Sequence, residues 1–236
     1  MEISRYLAMT AGETEDFSLP EGYLPGWMAC HFSPYGTGLS NIPRDLPPGS
    51  MVILNDRTPI SGHDPELIAA QLLQLLEKTG YDSLLLDFQR PDIPETKALC
   101  EVLTQALPCP IGVSDLYAQD LKCPVFLSPA PLDQGLREYV TPWDGREIWL
   151  DIAPEAACIT VTESGSTIAA VPFSDPPENA FEDGALHIRY RAETFDNKIQ
   201  FHLWRDLPQL EALLEEAKIL GITKAIGLYQ ELCAGK

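Results

Sequence analysis

The chain has 236 residues, of which 16 are Lys or Arg and 35 are Asp or Glu, so its formal charge is −19. This acid excess, with no basic cluster, argues against binding to nucleic acid and against attachment to an anionic membrane surface. Hydrophobic residues make up 45% of the chain and charged residues 22%, which supplies a core and excludes general disorder. The length fits a single domain, and we expect residues 1–236 to form it.

Short apolar runs alternate with helix-like segments along most of the chain, which is typical of strands connected by helices. In chain order, strands are predicted at Ile3–Met9, Trp27–Ser33, Met51–Asp56, Leu84–Phe88, Pro110–Tyr117, Pro124–Ser128, Glu147–Ile152 and Ala225–Tyr229. Helices are predicted between Asp64 and Gly80 and at Pro94–Leu107, Leu132–Val140 and Leu207–Leu220. The first helix is the clearest, because Asp64 suits the N-cap, Pro65 the first helical position and Gly80 the C-terminal end.

The alternation breaks late in the chain. The runs Ile159–Thr162 and Thr167–Val171 flank a turn containing Gly165 and predict a β-hairpin. His187–Tyr190 and Ile199–Trp204 predict a second pair of strands, after an acidic, proline-rich loop at residues 174–184. We interpret residues 157–204 as a β-rich insertion before the last helix.

The remaining strands and helices predict an α/β fold. Strands that alternate with helices pair in parallel, and about eight of them favour a (β/α)₈ TIM-like barrel over an open sheet. No convincing helix follows either of the first two strands, so the barrel is expected to be compact and partly trimmed there. The sequence leaves the oligomeric state open.

Targeting and metal-binding signals are missing from the sequence. The N-terminal ten residues do not combine a cationic start with an apolar stretch, and no run approaches the roughly 18 apolar residues of a membrane span. Six cysteines are scattered without a C-x-x-C pair, as is typical of buried thiols in a reducing compartment, and four histidines lack metal-ligand spacing. We therefore expect a cytoplasmic protein without metal or cofactor, secreted only if a leader has been removed.

Several predicted strands end in acids or amides. Because the active site of such a barrel lies at the carboxyl ends of its strands, these residues are expected to form an acidic mouth. The candidate residues are Asn55, Asp56, Asp87, Gln89, Asp115, Asp151 and Glu231. An acid at a strand end can equally be a helix cap or a solvated loop residue.

The strand around Asp87 carries the sharpest signal. Side chains alternate along a strand, so Leu85, Asp87 and Gln89 share one face, and on the inner face Asp87 and Gln89 would lie at the rim. The segment Asp82-Ser83-Leu84-Leu85-Leu86-Asp87-Phe88-Gln89, which follows Gly80-Tyr81, resembles the fourth strand of glycoside hydrolase family 18, D-G-apolar-D-apolar-D-x-E. The C-terminal part also resembles bacterial members of that family that act on peptidoglycan or spore-cortex glycans.

The resemblance implies roles for particular residues. In the family, the last acid of the strand motif protonates the glycosidic oxygen, and the middle Asp orients the substrate N-acetyl group. Asp87 matches the middle Asp, Leu85 stands at an earlier acidic position and Gln89 stands at the proton-donor position. Tyr229 takes the place of the tryptophan that forms the floor of the sugar subsite. Because an amide has no titratable proton, the resemblance implies a degenerate catalytic site.

Three functions remain open from the sequence. The first is a barrel that binds glycans containing N-acetylglucosamine with little or no hydrolysis, with Gln89 bonding to the sugar and aromatic residues stacking on it. Tyr229, Tyr117, Trp27 and Trp149 are the candidate stacking residues, although core packing explains at least half of them. The second is a glycosidase or other hydrolase that pairs Asp87 with Asp56, Asp115, Asp151 or Glu231. The third is a non-catalytic scaffold or assembly protein.

Overall fold

The computed structural model describes residues 2–13 and 19–233. Its strands are β1 (Ser4–Met9), β2 (Tyr23–Trp27), β3 (His31–Phe32), β4 (Leu39–Ser40), β5 (Met51–Asn55), β6 (Ser83–Asp87), β7 (Ile111–Ser114), β8 (Val125–Leu127), β9 (Ile148–Asp151), β10 (Glu155–Thr162), β11 (Gly165–Val171), β12 (Phe181–Asp183), β13 (Ile188–Phe195), β14 (Lys198–Arg205) and β15 (Lys224–Leu228). Its helices are α1 (Pro65–Thr79), α2 (Pro94–Ala106), α3 (Asp115–Ala118), α4 (Leu136–Val140), α5 (Leu207–Ile219) and α6 (Tyr229–Cys233).

Eight strands close into a parallel barrel in the order β1-β15-β9-β8-β7-β6-β5-β2. Strand β1, the first along the chain, pairs in parallel with β15, the last, with Ser4 opposite Lys224 and Ala8 opposite Leu228. This pairing joins the two ends of the chain's barrel strands and closes the ring. Helices connect several of the strands and pack outside it. The predicted (β/α)₈ TIM-like barrel is confirmed.

The barrel interior is filled by alternate residues of its strands. Tyr6, Ile53, Leu85, Trp149 and Ile226 belong to one buried inner cluster. The large Trp149 ring fits because Gly112 of β7 lies against it, where a Cβ atom would come within 2.1 Å of the ring. A second apolar layer, between the strands and the surrounding helices, contains the inner faces of α1, α2 and α5. The barrel is therefore a packed core whose open space lies at its end.

Helix α1 forms where its terminal residues predict it. Asp64 accepts a hydrogen bond from the Glu66 N–H at 3.1 Å, Pro65 occupies the first turn, and Gly80 closes the helix with φ +64°. The leucines and isoleucine at three- and four-residue spacing, Ile68, Leu72 and Leu75, face the core. Helix α1 leads directly into the turn that precedes β6, and so its caps help to fix where β6 begins.

The first part of the barrel has reduced connections. A short 3₁₀ turn at Ala11–Glu13 follows β1, and the small hairpin β3–β4 follows β2 where a regular barrel has a helix. The expected trimming is thus present in the described residues.

A five-stranded antiparallel sheet separates β9 from α5, in the order β11-β10-β14-β13-β12. It spans Glu155 to Arg205, close to the predicted insertion at residues 157–204. Its innermost residues, including Ala157, Ile188 and Leu203, form a small separate apolar cluster with Leu132. That residues 1–236 form a single domain stays a prediction.

Several predicted elements differ from the observed ones. The helix predicted at Leu132–Val140 begins at Leu136, and the strand predicted at His187–Tyr190 runs from Ile188 to Phe195. The second strand is Tyr23–Trp27 instead of Trp27–Ser33, because Pro25 and Gly26 are unusual within strands and obscure the pattern. The predicted strand Pro110–Tyr117 ends at Ser114, and α3 follows it. The last strand ends at Leu228, and Tyr229 begins α6.

The amino end of the barrel is closed by a polar network around Lys224. Its ammonium donates to the Asp82 carboxylate at 2.9 Å and to the Ser83 hydroxyl at 2.8 Å, and it lies 4.8 Å from the Trp149 ring centroid. Burial opposes ionisation of Asp82, yet the neighbouring ammonium holds the pKa of that carboxyl below its usual value. The carboxyl end of the barrel is the open one.

Candidate functional site

A cavity of about 380 Å³ opens at the carboxyl ends of the barrel strands. Its apolar lining comprises Ala8, Met28, Ile53, Leu85, Phe126, Ile226, Gly227 and Leu228, and its polar lining comprises Asn55, Asp56, Arg57, Asp87, Gln89, Arg90 and Asp151. An apolar floor below a few convergent polar groups is the usual composition of a small-molecule site.

Strand alternation explains which residues reach the cavity. Leu85 and Asp87 lie two apart on β6, and the same spacing places Asn55 above Ile53 and Leu228 above Ile226. Asp151 follows the buried Trp149 on β9 in the same way. The residue two positions after an inward-facing strand residue therefore lies at the rim of the cavity, and on three of these four strands it is polar.

Asp56 shapes the loop that follows β6. Its side chain is buried, and one carboxylate oxygen accepts from the Gln89 N–H at 3.1 Å and from the Arg90 N–H at 2.8 Å. Tyr117 holds the same loop from behind, because its hydroxyl donates to the Arg90 carbonyl. Through these two hydrogen bonds to backbone N–H groups, the Asp56 side chain positions Gln89 and Arg90 at the cavity.

Asp87 and Gln89 contact each other at the rim. The Gln89 Nε2 amide donates to Asp87 Oδ1 at 2.5 Å. Burial raises the pKa of Asp87 and the Asp56 charge adds to this, whereas the Gln89 amide and Arg57 favour the ionised form. The amide at the predicted proton-donor position therefore acts as a hydrogen-bond donor to the Asp87 carboxylate.

Asp151 lies on the other side of the cavity. Burial is the main cause that raises the pKa of Asp151 to about 8, and the charges of Asp87, Glu231 and Glu155 raise it further. The backbone N–H of Ile152 works in the opposite direction. No lysine or arginine that the structure describes forms an ion pair with Asp151. Burial and the neighbouring acids thus favour the protonated form of Asp151.

Five of the candidate rim residues line this cavity: Asn55, Asp56, Asp87, Gln89 and Asp151. Asp115 does not, because it begins α3 and its carboxylate accepts from the Leu116 N–H at 2.9 Å. Tyr117 is buried in the layer outside the strands and does not line the cavity, so its contact with a sugar stays a prediction. Burial raises the pKa of Asp115, although its backbone hydrogen bonds oppose this.

The predicted contribution of the last strand also needs correction. Tyr229 packs against the outer apolar layer, and Leu228 is the residue of this segment that lines the cavity. Because the strand ends one residue earlier than predicted, Tyr229 is turned into α6. Glu231 lies on α6 outside the lining, and it contributes its charge to the raised pKa of Asp151.

Neither tryptophan proposed for sugar stacking lines the cavity. Trp149 is fully buried, and its Nε1 donates to Glu147 at 2.9 Å. Trp27 packs on the outer layer. The aromatic side chain at the cavity floor is Phe126 of β8, which the sequence analysis did not select.

Sequence reasoning missed Arg57 and Arg90. Both are exposed and line the cavity, and the Arg90 guanidinium donates to the Arg57 carbonyl at 3.1 Å. A signal existed, because each arginine comes directly after a candidate rim residue, Asp56 or Gln89. Among the residues with described positions, no group of three His, Cys, Asp or Glu side chains is arranged to hold a metal ion.

Comparisons with solved structures give the fold an independent reference. The crystal structure of the spore cortex-lytic enzyme SleL from Bacillus cereus matches with a TM-score of 0.52 and 10% sequence identity, covering 96% of this chain and 70% of that chain. SleL from Bacillus megaterium QM B1551 matches with a TM-score of 0.43 and 11% identity, covering 75% of this chain and 55% of that chain.

At this level of identity, the likeness to the Bacillus cereus enzyme shows a shared barrel fold. No protein-family model matches the chain, and no curated protein matches it in sequence. No helix among residues 2–13 and 19–233 combines the length and apolar character needed to cross a bilayer.

Proposed function

We propose that the barrel mouth binds glycans containing N-acetylglucosamine and that it lacks the hydrolytic route of glycoside hydrolase family 18. The observation that carries this proposal is that Asp87 and Gln89 both line the cavity and that the Gln89 amide donates a hydrogen bond to the Asp87 carboxylate. Position 89 matches the family's proton donor, and an amide has no proton to give near neutral pH.

The cavity chemistry suits a pyranose ring. A sugar combines hydroxyl groups around its edge with apolar C–H groups on its faces, and the cavity combines a polar rim with an apolar floor of Leu85, Phe126 and Ile226. Asn55, Gln89 and the two arginines offer donors, and the Asp87 carboxylate offers acceptors. The resemblance of the β6 segment to family 18 and the shared fold with a spore cortex-lytic enzyme support this ligand class.

Calorimetric titration with chitooligosaccharides tests the proposal. We expect saturable heat with the native chain, and we expect Gln89→Ala to weaken binding by about twofold to tenfold through the loss of a hydrogen bond worth about 0.5–1.5 kcal/mol. Asp115→Asn is the matched control, because Asp115 lies outside the cavity lining, and it is expected to bind like the native chain.

Peptidoglycan fragments are titrated in the same way. If neither glycan class produced heat or a shift in thermal midpoint, the binding proposal would be wrong and a scaffold role would remain. Equal losses in Gln89→Ala and Asp115→Asn would place the binding surface elsewhere.

A further inference from the structure

We propose that Asp151 is the proton donor of a glycosidase reaction at the barrel mouth, acting across the cavity from Asp87. This inference rests on the proposed function, because the substrate occupies the same cavity. It adds an activity, hydrolysis, that does not use the family position now held by Gln89.

The placement of the two carboxyl groups is the first support. Asp87 ends β6 and Asp151 ends β9, and β7 and β8 lie between these strands in the barrel. Both side chains line the cavity. The two carboxyl groups therefore reach the same cavity from two different parts of the ring of strands.

Their different surroundings are the second support. Burial raises the pKa of Asp87 as it raises that of Asp151, and the Asp56 charge adds to this, but at Asp87 the Gln89 amide and Arg57 oppose the rise. Among the described residues, the titratable groups that act on Asp151 are acidic or neutral: Asp87 on β6, Tyr139 on α4, Glu155 on β10 and Glu231 on α6. Arg57 and Arg90 line the same cavity and are not among them. Arg205 lies 3.5 Å from Glu155 and pairs with that carboxylate instead. When the neighbours of two nearby carboxyl groups push their pKa values apart, the group with the higher pKa can act as acid and the other as base.

The reaction is a single displacement by water. Asp151 donates its proton to the glycosidic oxygen as the bond between that oxygen and C1 breaks, and the bonding electrons stay with the leaving oxygen. Water attacks C1 from the opposite face, and its proton passes to the Asp87 carboxylate. Asp87 then releases a proton to solvent and Asp151 takes one up, so one water molecule hydrolyses one glycosidic bond.

The geometry points to inversion at C1. Glycosidases that use a single displacement hold their two carboxyl groups roughly 6.5–9.5 Å apart, which leaves room for the attacking water. Retaining enzymes hold theirs only about 5 Å apart. Because β7 and β8 separate the strands of Asp87 and Asp151, we expect the wider spacing and a single displacement. The anomeric configuration of the first product, followed by NMR, is expected to be opposite to that of the substrate.

Hydrolysis of chitooligosaccharides by native protein, Asp151→Asn and Asp115→Asn tests the assignment. We expect Asp151→Asn to lower kcat/KM by about 10²- to 10⁴-fold, the usual contribution of a positioned acid. Binding measured by calorimetry should stay near the native value, because an amide can still bond to a sugar. Asp115→Asn should hydrolyse at the native rate.

Two further measurements separate a proton donor from a structural residue. A dinitrophenyl glycoside has a leaving group that departs without a proton, so Asp151→Asn should cleave it at nearly the native rate. The native rate on chitooligosaccharides should fall above about pH 8 as Asp151 loses its proton. This alkaline limb is measured on the native chain and so does not depend on how the variant folds.

The outcomes distinguish the two proposals. Binding without hydrolysis by the native chain would overturn the role of Asp151 and leave the proposed function intact. Absence of both binding and hydrolysis would overturn the proposed function. Hydrolysis that persists in Asp151→Asn with the same pH profile would assign the proton to another group, and retention of configuration at C1 would overturn the single displacement.

Discussion

Gly112 shows how one residue without a side chain makes room for a large ring inside the barrel. A Cβ atom there would lie 2.1 Å and 2.4 Å from two atoms of the Trp149 ring, which is itself fully buried. The ring belongs to the inner apolar cluster of the barrel, and Trp149 precedes Asp151 by two residues on β9. Position 112 must therefore be glycine for the Trp149 ring to fit in its observed place.

Gly112→Ala is expected to destabilise the protein. The added methyl group must displace a large ring that has no free space around it, and overpacking of this kind costs about 1–3 kcal/mol of unfolding free energy. Urea denaturation followed by tryptophan fluorescence measures the change. Gly184→Ala is the control, because a Cβ at Gly184 meets no atom within 4 Å, and its midpoint should stay within about 0.5 kcal/mol of native. Equal midpoints for the two variants would contradict the packing role of Gly112.

At the scale of elements, the five-stranded sheet is joined to the barrel by Arg205. This side chain is 1% exposed, and its guanidinium donates to the carbonyls of Ala130, Pro131, Leu186 and His187. It also lies 3.5 Å from the Glu155 carboxylate at the start of β10. One cation thus satisfies buried acceptors from the β8–α4 connection and from the sheet.

Removing that cation is expected to loosen the sheet. Arg205→Met leaves Glu155 and several carbonyls without their donor, and deleting one partner of a buried pair typically costs about 3–5 kcal/mol. Arg191→Met is the matched control on the same sheet, because Arg191 is exposed and its ion pair with Glu193 is long, at 3.6 Å. Thermal unfolding and proteolysis within residues 155–205 measure both variants. Equal effects would show that Arg205 does not hold the sheet in place.

The same elements show what the sequence could predict. Helix α1 was predictable because Asp64, Pro65 and Gly80 act through local backbone chemistry that needs no tertiary contact. Strand β2 was misplaced because Pro25 and Gly26 are tolerated only where neighbouring strands accept them, and Gly26 packs against Ile53. Asp56, Asp87, Gln89 and Asp151 were predictable as cavity residues, because they lie at the carboxyl ends of strands, where the active site of such a barrel lies.

Residues beyond a strand end were the harder ones to predict. Tyr117 and Tyr229 follow their strands by one to three residues, and each belongs to a short helix that turns its side chain outward. Arg57 and Arg90 face the cavity because the loops around Asp56 bring them there. The direction of a loop side chain depends on such tertiary hydrogen bonds, and strand periodicity does not contain that information.

At the scale of the whole molecule, a few of the 35 acidic residues come close together at the carboxyl end of the barrel. Burial raises the pKa values of Asp87, Glu155 and Glu231 as well as that of Asp151. Folding therefore gathers acids that the unfolded chain keeps apart in water. Their protonation couples the cavity to the stability of the molecule.

The resulting pH dependence has a definite sign. In the unfolded chain Asp151 ionises near its usual pKa of 3.8, whereas in the folded chain its pKa is about 8. Between these values the folded state holds a proton that the unfolded state has released, so stability falls as pH rises, by up to about 1.4 kcal/mol per pH unit. Asp151→Asn has no such proton, and we expect its unfolding free energy, relative to native, to increase from pH 4 to pH 8 and to level off above that. Urea denaturation at several pH values measures the difference, and a constant difference across this range would show that Asp151 is ionised in the folded protein at neutral pH.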